Sequence, residues 1–147
     1  MDQTALKPGE GGPVPLFDRL VDDQPMELEE AVPLRVYRTE QVMASVQREL
    51  HRLCNTRSYE RFQQWESRQR TVLNYGIPCI ASLSPSRKDD VDLLMRFLEK
   101  AVIAYEPRLR RVVLTPGQPS RGRFAFQMDA DLIIGNTVQA ISFPLAV

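Results

Sequence analysis

Histidine, cysteine and lysine are scarce in these 147 residues: one histidine (His51), two cysteines (Cys54 and Cys79) and three lysines. A single histidine confines any Ser–His–Asp or Cys–His device to one position. His51 falls inside a helical pattern, directly after the apolar Leu50. His51 and Cys54 stand three apart and could touch one metal ion. A zinc site takes three or four protein ligands, however, and only Cys79 remains of the favoured types. No metal site and no cofactor is therefore expected. Two cysteines without framework spacing exclude a disulfide scaffold. No Walker loop or GxGxxG occurs, and Gly9, Gly11 and Gly12 follow no strand pattern. No stretch approaches the about 18 apolar residues of a membrane span. Residues Met1 to Pro8 lack an apolar core of signal-peptide type. Acidic and basic residues balance at nineteen each, so no long-range field draws the chain to nucleic acid or membrane. The expectation is a soluble cytoplasmic protein.

What remains is long enough for one domain with its own core plus an appendage. Sixteen of the nineteen basic residues are arginine. Arginine is favoured at interfaces because its planar guanidinium is weakly hydrated and binds bidentately; GC-rich coding bias gives the same skew. Residues 1–35 hold five of eleven prolines and three of seven glycines, which reads as an extended arm. Within it, Leu16-Phe17-Asp18-Arg19-Leu20 is a short apolar cluster, either packing on its own domain or serving as a docking peptide. Glu27, Glu29 and Glu30 form an acidic patch after it.

Two amphipathic helices follow. Thr39 is a good N-cap, with Glu40 in the first turn where the helix dipole favours it. Val42, Met43, Val46, Leu50 and Leu53 make one apolar stripe, and Asn55 is a plausible stop. Residues 56–72 are Arg-rich, with Tyr59, Phe62 and Trp65 interleaved. That spacing fits a short helix laying an aromatic face on the core, or a base-stacking platform. Leu73-Asn74-Tyr75-Gly76-Ile77-Pro78 reads as a turn. Ser86-Arg87-Lys88-Asp89 is a capping box ahead of the strongest helix, whose stripe is Val91, Leu94, Met95, Leu98, Val102 and Ile103.

Tyr105-Glu106-Pro107-Arg108-Leu109 ends that helix, because proline cannot continue it and biases the preceding residue away from the α region. Glu106 and Arg108 are expected on opposite sides of a fixed bend, as a local ion pair or a recognition corner. Beyond it the pattern is β. Arg111 to Leu114 is a short strand, and Pro119, Ser120 and Gly122 are turn residues. Phe124, Phe126, Met128 and Ala130 share one face, and Gly135-Asn136 is a hairpin signal leading to a last strand over Thr137 to Phe143. The fold class is α+β: two main amphipathic helices, then a C-terminal antiparallel meander, with a Pro/Gly-rich arm over 1–35 and a domain over 36–147. The last strand carries no charge, so it is either central or an edge used for pairing.

Four of these pieces occur in order in one family. They are Leu16-Phe17-Asp18-Arg19-Leu20, Leu53-Cys54-Asn55-Thr56-Arg57, Asn74-Tyr75-Gly76-Ile77-Pro78 and Glu106-Pro107-Arg108. The second resembles the family's Leu-Asn-Thr-Arg element with Cys54 intervening. Over about Leu16 to Phe143 the chain resembles TssE, the baseplate subunit of bacterial type VI secretion systems, itself similar to a lysozyme-like wedge protein of contractile phage tails. The resemblance implies a non-catalytic subunit at a cytoplasmic baseplate docked to the inner-membrane complex. Its implied partners are TssF, TssG and TssK in the wedge and TssB/TssC in the sheath, whose polymerisation it helps to initiate. It implies wedge contacts at Glu106 and Arg108, with Pro107 fixing their angle. The docking segment would be Leu16, Phe17, Arg19 and Leu20. Alanine at Glu106 or Arg108 is then expected to leave the fold intact. The alternatives are a muramidase acting through Glu99 or Glu106, which lack any surrounding signature, and an RNA-binding module using Arg57, Arg61, Arg68 and Arg70 with the nearby aromatics.

Overall fold

The computed structural model describes residues 11–21, 26, 36–119 and 122–147. The expected acidic patch at Glu27, Glu29 and Glu30, and the turn residue Ser120, lie outside the described residues. The architecture is α+β. In chain order the elements are β1 (Gly11–Pro13), α1 (Leu16–Leu20), β2 (Val36–Arg38), α2 (Thr39–Asn55), α3 (Phe62–Ser67), a 3-10 turn (Val72–Asn74), α4 (Lys88–Tyr105), β3 (Leu109–Pro116), β4 (Ala125–Ile134) and β5 (Thr137–Ala146). β1 and β2 pair antiparallel, and β3-β4-β5 form a three-stranded antiparallel meander.

The stretch read as an arm is thus described in part, and that part lies on the domain. Val14 is buried, and Gly12 sits against the side chains of Val42 and Ile134. One core joins α2, α3, α4 and the inner face of the meander. Helix α2 contributes Val42, Val46, Leu50 and Leu53 as its stripe foretold, plus Ser45 and Cys54. Thr39 is the first residue of α2 rather than its cap; Arg38 precedes it and donates its backbone N–H to Gln41 Oε1 at 2.9 Å.

Helix α4 departs from the expected stripe. Ile103 is exposed, and Phe97 and Ala101 are buried in addition to Leu94, Leu98 and Val102. At about 3.6 residues per turn, a face centred on 94, 98 and 101 leaves 103 well to one side. The Ser86 capping box is not formed either. It is Asp90 whose carboxylate reaches back, accepting the Ser84 N–H at 2.9 Å.

The meander matches its pattern closely. Phe124, Phe126, Met128, Ala130, Leu132 and Ile134 all face the core. The two-residue turn Gly135-Asn136 joins Ile134 to its partner Thr137. Only Gly135 has positive φ there (55°), as a type II′ turn requires of its first position. Strand β3 is longer than expected and is bulged. Its register slips between Arg110 and Val113, and Arg111 takes a left-handed φ of 48°.

Candidate functional site: a composite docking face

Helix α4 and the corner after it are built by backbone hydrogen bonds. Glu106 N–H donates to Val102 O at 2.8 Å and completes the helix. Leu109 N–H then donates to Glu106 O at 3.0 Å, closing a four-residue turn with Pro107 in the second position, where its fixed φ fits. Because Pro107 sits in a closed turn, the flanking side chains converge. This corrects the expectation of a pair splayed to opposite sides. Arg108 Nε donates to Glu106 Oε1 at 2.7 Å, and its Nη2 donates to Oε2 at 2.6 Å. That is a bidentate, charge-assisted pair. The Glu106 side chain is 4% exposed and that of Arg108 is 23% exposed. Burial alone disfavours the charged guanidinium, but the hydrogen bonds and charge of Glu106, with Glu49 and Asp18, outweigh it and raise the Arg108 pKa further. Removing a carboxylate this buried and this tightly paired strands the Arg108 charge, so alanine at Glu106 is expected to destabilise the fold rather than to leave it intact.

Arg108 also reaches across the molecule. Its Nη1 donates to Ser45 Oγ on α2 at 3.1 Å. Ser45 Oγ in turn donates to Asp18 Oδ2 on α1 at 2.9 Å, and Arg48 Nη2 donates to the same oxygen at 3.1 Å. Glu106, Arg108, Ser45, Asp18 and Arg48 therefore form one continuous chain. Asp18 also lies beside Tyr37, whose phenol pKa is raised by burial and then by that carboxylate. The network places α1 next to the corner.

The outward side of α1 is apolar. Leu16, Phe17 and Leu20 are 70%, 56% and 73% exposed, and Arg19 is exposed beside them. Phe17 is steadied by Arg52, whose guanidinium carbon lies 4.4 Å from the ring centroid. Large apolar side chains presented together on an anchored element mark an interaction site more often than scattered ones do. Leu16, Phe17, Arg19 and Leu20, the segment expected to dock, and the corner residue Arg108 thus share one region, while Glu106 and Pro107 lie beneath or beside it. Sequence reasoning missed Ser45 and did not use Asp18 or Arg48. The available signal was a small hydroxyl at Ser45 between Val42 and Val46, in the middle of an apolar stripe.

The other two motifs bind each other. Four carbonyls at the end of α2 are capped: His51 O by Asn55 Nδ2 (2.8 Å), Arg52 O by Thr56 Oγ1 (2.8 Å), Leu53 O by Thr56 N (3.4 Å) and Cys54 O by Arg57 Nη1 (2.6 Å). Asn55-Thr56-Arg57 is therefore a helix terminator that satisfies groups a helix end leaves open. Thr56 O then accepts the Ile77 N–H at 3.0 Å, and Ile77 O accepts the Ser58 N–H at 2.8 Å. Gly76, at φ 106°, lets this approach happen: a Cβ there would lie 2.5 Å from Thr56 O. Tyr105 Oη lies 2.9 Å from Asn74 O, tying the same turn to the end of α4.

The alternative sites are taken up by packing. Trp65 is buried edge-on against Phe97, its ring centroid 5.0 Å away, and Arg70 lies over its other surface at 4.0 Å. Buried Glu60 accepts from both Arg68 and Arg70 at 3.4 Å. Of the aromatic set only Tyr59 is fully exposed. Glu99 accepts the Leu114 N–H at 3.2 Å. His51 is exposed, Cys54 buried and Cys79 exposed, and no cluster of three metal-binding side chains exists among the described residues. No helix among the described residues is long and apolar enough to cross a membrane.

Strand order resolves the question of the uncharged strand. β4 is central and β5 is an edge that, among the described residues, pairs only with β4. The opposite edge, β3, is guarded by its bulge, by Arg110 and Arg111, and by Glu99 on the Leu114 N–H.

The described residues thus form an α+β domain with β5 at one edge of its sheet and an exposed apolar side on α1, and Glu106, Glu99 and Glu60 are taken up by contacts within the chain. The model of the baseplate wedge protein gp25 family matches residues 40–137, and the chain belongs to that family. It is thereby a structural baseplate protein, of the phage-tail-like class to which the sequence motifs pointed. Among solved structures, a chain in the baseplate complex from the type VI secretion system shares the fold. That match has a TM-score of 0.52 and 24% identity, over 74% of this chain and 95% of that one. A crystal structure of a candidate tail lysozyme from Geobacter sulfurreducens is also similar, with a TM-score of 0.47 and 18% identity over 72% and 91% of the two chains. No curated protein matches.

Proposed function

We propose that this protein is a non-catalytic structural subunit of a type VI secretion baseplate. It ties the TssF–TssG wedge, completed by TssK, to the contractile sheath and helps TssB/TssC polymerisation to start. It works on the cytoplasmic side, at a baseplate docked to the inner-membrane complex. Residues 36–147 are the wedge domain, and the segment before them supplies the docking helix. The observation that carries this reading is the face on which Leu16, Phe17 and Leu20 stand exposed beside a half-occupied Arg108. Three of the five N–H groups of that guanidinium are used within the chain. The others can meet a carboxylate or the carbonyl end of a partner helix, while the apolar side chains enter a groove between helices. Pre-set geometry lowers the entropy cost of docking. The open β5 edge supports the sheath half, since it can accept a strand from a neighbour.

The non-catalytic reading is supported by the two carboxylates a muramidase would use. Glu106 is buried against Arg108 and Glu99 is hydrogen-bonded to β3, so each carboxylate is taken up by contacts within the chain.

Co-purification of the full chain with TssF and TssG from the same bacterium tests the proposal. The wild type is expected to be retained, and a Phe17→Ala/Leu20→Ala double variant to be lost at unchanged melting temperature. A wild type that does not co-purify, or one that releases soluble fragments from purified peptidoglycan, would sink it.

A further inference from the structure

The hydrogen-bond chain through Ser45 has a role the docking face alone does not explain. Ser45 is 1% exposed, yet its hydroxyl is neither a helix cap nor a solvent group. It accepts from Arg108 and donates to Asp18, residues 63 and 27 positions away in sequence. A hydroxyl has one donor and two acceptor sites, so it suits a relay between a cation on one side and a carboxylate on the other. Asp18 lies in the middle of α1, between the exposed Phe17 and Leu20. α1 has only five residues and buries none of them, so neither helix propensity nor a core face fixes its orientation. Polar contacts hold it to α2 among the described residues: Asp18 to Ser45 and Arg48, and Phe17 under Arg52.

We infer that Asp18 and Ser45 are positioning residues that make α1 and the Arg108 corner a single, coupled recognition element. Asp18 sets the angle at which Phe17 and Leu20 are shown. Ser45 ties that angle to the azimuth of the Arg108 guanidinium, which Glu106 already fixes on one edge. A partner that seats on the apolar side chains therefore meets Arg108 at a set distance. Loss of either anchor frees both halves of the face. This rests on the docking role proposed above.

The test is a double-mutant cycle on affinity for the purified TssF–TssG pair, with melting temperature recorded for each variant. Asp18→Ala and Arg108→Ala are each expected to weaken binding, and their combination to weaken it less than the product of the two. The discrepancy should be on the order of tenfold, as for residues in one hydrogen-bond network. In a Ser45→Ala background the same two substitutions should become additive, whereas Ser45→Thr, which keeps the hydroxyl, should restore the coupling. Asp18→Asn and Arg108→Lys replace the alanines if either fails to melt cooperatively. Additive effects with Ser45 intact would overturn the inference. If neither Arg108→Ala nor Phe17→Ala weakens binding, the docking role itself fails, which is a separate result.

Discussion

Arg108 grips Glu106 across a single proline, through two hydrogen bonds of 2.7 and 2.6 Å to the two carboxylate oxygens. Three residues thus make a corner whose charges cancel internally while one guanidinium edge remains available. Such a pair is costly to break from one side and cheap to replace as a whole, because removing one member strands a buried charge.

The first prediction follows directly. Glu106→Gln should cost about 3 kcal/mol of stability, the lower end for breaking a buried pair, since Arg108 keeps some exposure to water. In a chain of this size that is a fall of about 6–12 °C in Tm. The double variant Glu106→Met/Arg108→Leu should recover most of the loss, and should still fail to bind the wedge. Calorimetry beside a pull-down separates the two effects. A double variant that binds normally would show that the corner serves only the fold.

Gly76 permits the second. Any side chain at φ 106° is strained by about 1–3 kcal/mol, and here the new Cβ would also strike the backbone oxygen of Thr56. That oxygen cannot withdraw without losing the Ile77 N–H. Gly76→Ala should therefore destabilise by more than strain alone and loosen the end of α2. Hydrogen exchange at Ile77 and Ser58 reports it; unchanged protection at both amides would contradict the account.

Much of this was legible in the sequence where a period was strong. Phe124 to Ala130 alternated over enough residues to fix the face of β4, and Gly135-Asn136 fixed the hairpin register. The helix stripes were correct where three or four positions agreed and failed at Ile103, which lies at the end of the pattern. The segment Leu16 to Leu20 was recognisable as a motif, but its anchoring was not. Ser45 meets Arg108 only because α2 and the corner after α4 come together in the folded chain, and no local rule encodes that contact. Glu106 and Arg108 were read as splayed because the bend at Pro107 was visible and the closure of its turn was not.

Burial of Cys54 gives the third. The burial penalty pushes its thiol from an ordinary 9.0 up to about 12, with Arg57 pulling weakly the other way. The thiolate is the reactive form, so native protein should label rapidly at one thiol, the exposed Cys79, and at Cys54 only on unfolding. The same shift sets an alkaline limit. Because the folded pKa is raised, the unfolded chain binds fewer protons between the two values. The contribution is therefore complete below pH 9.0 and is lost as pH rises through about 12. Tyr75, raised by burial from 10.0 to about 12, acts in the same direction. Cys54→Ala should flatten the fall in denaturation midpoint that begins near pH 9. An identical slope in wild type and variant would rule this out.

The last prediction concerns the free edge of the meander. Phe124 and Val147 exchange both backbone hydrogen bonds, at 3.1 and 3.0 Å. Counting back along the β4–β5 register, hydrogen-bonded and non-hydrogen-bonded pairs alternate, so Val138, Ala140, Ser142, Pro144 and Ala146 turn their backbone polar groups away from β4. Pro144 falls on this outward set, where a missing N–H costs the ladder nothing. It blocks one donor of the edge and leaves Val138, Ala140 and Ser142 without a strand partner on that side among the described residues. Ala140→Pro should therefore extend the block without breaking a bond to β4, keeping stability within about 1 kcal/mol while abolishing capture of a neighbouring strand. Gln139→Pro, one residue away, removes a ladder bond and should unfold the hairpin. Ala140→Thr, which keeps the N–H, should behave as wild type. If Ala140→Pro is stable and still assembles with TssB/TssC, the proposed strand addition at β5 fails.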